Sequence, residues 1–110
     1  MEDLIPAMAD ALRDLSAGAV LQPLRTILSI SPHNGFLGVM PAAGRALGAK
    51  LVTFYPQNKE VPTHHAMILL FRLETGEPLA VMDGRLITEM RTAAVSAVAT
   101  NLLARPDIKT

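Results

Sequence analysis

Three cations in this chain of 110 residues stand where charge is out of place. Arg25 opens the run Thr26-Ile27-Leu28-Ser29-Ile30, Lys50 leads Leu51-Val52-Thr53-Phe54-Tyr55, and Arg91 precedes the alanine-rich stretch from Thr92. A charge held in an apolar sheet is costly unless something pairs with it. A bound anion answers that need, and the planar fork of arginine matches a carboxylate through two parallel hydrogen bonds. Glu60, Asp83 or Glu89 could serve instead as internal partners, or the cations could face solvent. Spacing alone leaves these readings open.

Other chemistry is weaker. Thr63-His64-His65 precedes an apolar run, and adjacent residues of a strand point to opposite faces, so the two histidines make a poor chelating pair. They start a strand, or they offer polar contacts to a phosphate or carboxylate. No metal site is expected. Gly35-Phe36-Leu37-Gly38 is not a phosphate-cradling glycine pattern, and no strand–loop–helix unit surrounds it. The order of residues suggests no Ser–His–Asp or Cys–His arrangement. Asp83-Gly84 reads as a turn. If a helix begins near Arg91, free N–H groups there would attract an anion; if the helix is continuous, Arg91 is one of its side chains.

The elements that must position these residues are legible as patterns. Leu4, Ile5, Met8, Leu12 and Leu15 recur at helical spacing over residues 2–17, with Glu2 and Asp3 expected in the first turn and Gly18 at the end. Pro6 suggests a first helical position near Ile5 or Pro6. Strands are expected within Leu21–Ile30, with Pro23 marking an edge, then over Phe36–Met40, Lys50–Tyr55, His65–Leu73 and Pro78–Met82. Pro41-Ala42-Ala43-Gly44 should break the second of these, and Glu74-Thr75-Gly76-Glu77 should close a hairpin. Residues 86–104 read as a helix with Ala93, Ala94, Ala97, Val98 and Leu102 on one face, stopped by Arg105-Pro106. Helix, antiparallel strands, helix is an α+β order, with a sheet of five to six strands in a single domain spanning 1–110.

Composition narrows the classes. The chain is 50% hydrophobic and 18% charged, which excludes disorder. Its formal net charge of +0 lacks the electrostatic footprint of a nucleic-acid binder. It has no cysteine, so no disulfide framework and no thiolate metal site, and a reducing cytoplasm fits. The N-terminus turns acidic at once, unlike a signal peptide, and the longest apolar run, Ala66 to Phe71, is far short of a membrane span. High apolar content with low charge suggests a surface meant for a partner.

Read together, the motifs form a familiar series. Gln22-Pro23-Leu24-Arg25-Thr26 is followed by Gly35-Phe36-Leu37-Gly38-Val39-Met40-Pro41 and Lys50-Leu51-Val52-Thr53-Phe54-Tyr55. Pro62-Thr63-His64-His65-Ala66, Glu74-Thr75-Gly76-Glu77-Pro78-Leu79-Ala80, Met82-Asp83-Gly84 and Met90-Arg91-Thr92-Ala93-Ala94 complete it. The series resembles the ornithine cyclodeaminase/mu-crystallin family over essentially the whole chain.

That resemblance implies an NAD(P)-dependent enzyme family of ornithine cyclodeaminases, ketimine or imine reductases and some alanine dehydrogenases. It implies a substrate-binding and dimerisation domain, a half-barrel that joins its twin across a homodimer, beside a Rossmann domain. The chain resembles the first part. The Rossmann domain, and the family's catalytic aspartate within it, are expected to be absent here, so the chain is expected to be an incomplete fragment, inactive alone. By resemblance, Arg25, Lys50 and Arg91 would bind the substrate carboxylate, and Lys50 would also polarise the carbonyl or imine. Met40 and the Met82–Gly84 turn would line the pocket. Thr63, His64, His65, Arg91 and Thr92 would touch the NAD or NADP. The competing reading is a non-catalytic module that dimerises or binds a small ligand.

Overall fold

In a computed structural model that describes residues 1–105 and Asp107, helix α1 (Leu4–Ser16) leads into five strands and a closing helix. The strands are β1 (Thr26–Ile30), β2 (Gly35–Ala43), β3 (Leu47–Phe54), β4 (His64–Phe71) and β5 (Pro78–Asp83), and the helix is α2 (Arg85–Leu103). The sheet is an antiparallel meander in sequence order, β1-β2-β3-β4-β5. This is the α+β arrangement the patterns imply, at the lower end of the expected strand count.

Helix α1 ends on Gly18 in the left-handed region (φ 74°), with Gly18 N–H donating to Leu15 O at 3.1 Å and Ala19 N–H to Asp14 O at 2.9 Å. Those two bonds are the Schellman closure that a glycine there permits. The helix start differs from expectation. It lies at Leu4, so Glu2 and Asp3 precede the helix and its first turn carries no acid. Pro6 sits in that first turn, where its missing N–H costs no intrahelical bond.

The strands depart from their sequence boundaries, β3 starting earlier at Leu47 and β4 ending earlier at Phe71, and two departures have a clear cause. Residues 22–25 are not strand; Leu21 makes only an isolated bridge to Ala43, and β1 begins at Thr26 as an edge strand. Pro41 does not break β2, which continues to Ala43. Ala43 N–H donates to Leu21 O at 2.9 Å, and residues two apart direct their N–H groups to the same side. Pro41 therefore turns its missing donor towards residues 22–25, where no strand pairs, and loses nothing. Helix α2 runs to Leu103 with Ala104 extended behind it; Pro106, expected to help stop it, lies outside the described residues.

The packing is thin. Among the described residues the buried hydrophobic side chains are Ala66, Ala94 and Val98. Helix α1 packs along α2, and α2 meets the sheet at β4. The molecule is a slab of 51 × 42 × 22 Å with a radius of gyration of 16.6 Å, against about 13 Å for a compact chain of this length. Its accessible surface is 8445 Å², where a compact monomer of this mass exposes roughly 5,900 Å².

Candidate functional site

Register fixes the surroundings of Lys50. Met40 lies opposite Lys50, Lys50 opposite Ile68, and Ile68 opposite Met82, so these side chains form one row on one face of the sheet. Arg25 immediately precedes β1, whose first residue, Thr26, lies opposite Val39, next to Met40 in β2. The next row on this face, Ile27–Gly38–Val52–Ala66, is apolar and narrow. Gly38 is buried there, and a Cβ on it would stand 2.9 Å from Val52 Cγ2 and 3.4 Å from Met40 Cε.

Helix α2 adds the third cation. It is continuous from Arg85, so Arg91 sits in its second turn and not at a helix start. Lys50 is half-buried and its ammonium is held below the ordinary lysine value. Burial is the main cause, followed by the positive fields of Arg91 and then Arg25. The three charges are therefore close enough to be felt at one nitrogen.

Among the described residues no ion pair neutralises them. The ion pairs among the described residues are Arg13–Asp10, Arg45–Asp14 (2.7 Å), Arg72–Glu77 (3.0 Å) and Arg85–Glu89 (3.3 Å). None includes Arg25, Lys50 or Arg91. Two of the candidate internal partners are committed elsewhere: Glu89 to Arg85, and Asp83 Oδ1 to the Arg85 N–H at 2.8 Å. Glu60 is exposed on the loop after β3. Three positive heads around a half-buried lysine can hold one carboxylate and orient it.

Beside this row lies an open groove of about 640 Å³ between α1, α2 and the β2–β3 turn. Arg91 lines it with Gln22, Ala42, Val20 and Val95, and Met8 and Leu12 of α1 form the far wall. Arg45, in the β2–β3 turn, reaches α1 through a two-point contact with Asp14, at 2.7 and 3.1 Å. That contact fixes the groove's rim. Sequence reasoning did not single out Gln22, although its place in the Gln22–Thr26 motif was a usable sign.

The remaining nominated residues are scattered. His64 lies opposite Phe54 on the cation face, whereas His65 lies opposite Thr53 on the other face. Thr63 closes the loop before β4 by accepting the Tyr55 N–H at 2.7 Å through its carbonyl. The Thr92 hydroxyl donates to Thr88 O at 2.6 Å within α2 and is exposed. Met82 shares the cation row, and Gly84 packs on Ala66. Among the described residues no three His, Cys, Asp or Glu side chains converge as metal ligands. A dinucleotide's phosphates are ordinarily held by a glycine-rich turn between a parallel strand and a helix. The sheet here is antiparallel throughout, and these residues do not make that cradle.

What sequence reasoning missed is the seam between α2 and β4. Gly84 N–H donates to Ala66 O at 2.8 Å, and both residues are buried. Asp83-Gly84 carried a turn signature, but nothing in the sequence said what the glycine would lie against.

Residues 1–110 match the profile of the Ornithine cyclodeaminase/mu-crystallin family. The ketimine reductase mu-crystallin of Mus musculus is 53% identical over 111 residues, which take in 94% of this chain and 36% of the mouse protein. The solved Thermococcus litoralis Delta(1)-pyrroline-2-carboxylate reductase, in complex with NADH and L-proline, superposes with a TM-score of 0.92 at 44% identity, over 98% of this chain and 35% of that one. An archaeal alanine dehydrogenase dimer with bound NAD superposes with a TM-score of 0.91 at 35% identity, over 96% of this chain and 33% of its own. The chain thus spans about a third of the length of the proteins it matches.

Proposed function

The chain belongs to the ornithine cyclodeaminase/mu-crystallin family, and from that premise we propose that it is the substrate-binding part of an NAD(P)-dependent imine reductase or cyclodeaminase acting on a small amino or imino acid. The observation that carries the reading is the set Arg25, Lys50 and Arg91, whose charges act together at Lys50 and which no ion pair among the described residues includes.

Arg25 and Arg91 take the substrate carboxylate from two sides, and Lys50 completes the grip. Fixing that end holds the neighbouring carbon–nitrogen or carbonyl centre over the row of Ile27, Gly38, Val52 and Ala66, which presents no competing charge. The Lys50 ammonium, made more acidic by its setting, donates to the centre and polarises it. A bound NAD(P) would exchange hydride with that centre. Contacts to it from Thr63, His64, His65, Arg91 and Thr92 rest on the resemblance. Placement favours His64, which shares the cation face, over His65, which does not. The chain alone turns over no NADH or NADPH.

The surplus exposed surface favours a homodimer formed through the sheet, and the absence of cysteine favours the cytoplasm. The same surplus supports the second reading, a non-catalytic module that dimerises or holds a small ligand.

Titration calorimetry of the chain with pyrrole-2-carboxylate, a flat stand-in for a cyclic imino acid, tests the site. Binding is expected, with loss in Arg25→Ala and Lys50→Met. Binding that survives both substitutions, or no binding by the unaltered chain, removes the carboxylate nest.

A further inference from the structure

Glycine at position 84 is not called for by its backbone. Its φ of −96° and ψ of 0° are open to any residue. Space is what calls for it. A Cβ on Gly84 would stand 2.9 Å from Ala66 Cβ, 3.1 Å from Ala66 C and 3.2 Å from Ala66 O. On the other side of this contact is β4, paired with β3 along its whole length and with β5 from Met67 onward, which resists giving way. On the near side is the first turn of α2, tied together by Asp83 Oδ1 accepting the Arg85 N–H and by the Thr88 hydroxyl donating to Gly84 O at 2.6 Å. An intrusion at position 84 must therefore lift the helix.

Arg91 follows seven residues later, close to two full turns of about 3.6 residues, which returns it to the same side of α2 as Gly84. Among the helix–sheet pairs, it is at β4 that α2 rests on the sheet. Ala66 lies one row from Ile68 and Lys50 along the same face. We propose that the contact of Gly84 with Ala66 positions Arg91 over Lys50 and Arg25, setting how tightly the three cations close on a substrate carboxylate. Gly84 and Ala66 are positioning residues that touch no ligand. The proposal rests on the carboxylate-binding reading, and it makes the distance between α2 and β4 the determinant of that site's affinity.

The test reads Lys50 directly, without ligand, from the pH titration of its ε-carbon resonance in the labelled chain. Arg91→Gln raises the Lys50 pKa towards its ordinary 10.5. Gly84→Ala and Ala66→Val each raise it too, because they carry Arg91 away, and Arg91→Gln added to Gly84→Ala raises it little further. Affinity for pyrrole-2-carboxylate falls roughly tenfold in each single variant, as expected for losing one charge-assisted hydrogen bond. The swap Ala66→Gly/Gly84→Ala, which moves the Cβ across the contact, restores both readings. A Gly84→Ala chain whose Lys50 titrates as in the parent overturns the proposal. So do shifts that simply add with Arg91→Gln, or a swap that stays unfolded or fails to restore Lys50. If the Lys50 titrations behave as stated while the unaltered chain binds no carboxylate, the ligand reading falls and the positioning contact stands.

Discussion

One face of the sheet carries Lys50 among Met40, Ile68 and Met82, within the positive fields of Arg91 from α2 and of Arg25 just before β1. The opposite face carries Leu28, Val39, Leu51, Met67, Leu69 and Val81, with Asp83 and His65 at its rim. The same strands build both, alternating residue by residue. The first face is partly roofed by α2 and short of negative charge; the second has no roof, with Val81 65% and Leu28 55% exposed. A charged face left open to water is stable, because water solvates ammonium and guanidinium groups. An apolar face of this extent is not at rest in water. The difference is what the proposed reading rests on, with a small anion on one face and a protein surface on the other.

The comparison breaks most visibly on the apolar side. Met67→Lys places a charge in the middle of that face, opposite Leu51, and should weaken self-association by roughly a hundredfold or more, as loss of a central interface anchor does. Sedimentation velocity across a concentration series reads this, and an unchanged association constant would mean the face is not the interface. Carboxylate affinity should be unaffected, because position 67 points away from Lys50.

On the cation side, Lys50→Met should cut affinity for pyrrole-2-carboxylate by about ten- to a hundredfold, the range for a charge-assisted hydrogen bond. The same variant should melt no lower than the parent, since the lysine is half-buried among like charges. A chain that keeps its affinity, or melts well below the parent, would make Lys50 a structural residue.

A smaller effect follows from pH. Protonated Lys50 grips the anion, so affinity should decline as pH rises through the lowered Lys50 pKa, below the ordinary 10.5. The sign for stability is opposite. The folded state penalises the charged form, so this group's contribution to stability improves between the folded pKa and 10.5. Lys50→Arg should flatten the affinity profile over that range; a decline that persists in it would point to another group.

The smallest effect belongs to the groove's rim. Asp14→Asn removes the charge from a two-point contact with an exposed arginine and should cost about 0.5–1 kcal/mol, read as a shift of the urea midpoint. A larger loss would mean that α1 is held to the sheet chiefly by this contact.

Where sequence reading failed, the cause lies in neighbours that a local window does not contain. Pro41 reads as a breaker because proline lacks a donor. It sits inside β2 because residues 22–25, nearly twenty positions away, leave that side of the strand unpaired. Arg91 could be assigned to a helix start or a helix interior, and the answer came from where Gly84 docks on β4. Likewise, sequence spacing offered Asp83 and Glu89 as partners for the three cations, and the fold places both against Arg85.

The amino-acid order by itself determined the five strands and two helices, the Schellman close of α1, the facing of His64 and His65 to opposite sides, and the family. Each of these follows from residues within a few positions of one another, or from the order of short motifs, and survives in any window of the chain. Only the tertiary structure decided that Arg91 and Arg25 come near enough to act on Lys50, that the ion pairs among the described residues leave these three out, and that a glycine lies against Ala66. Those facts depend on register between strands and on the clearance between a helix and a sheet, quantities set by where the chain returns in space.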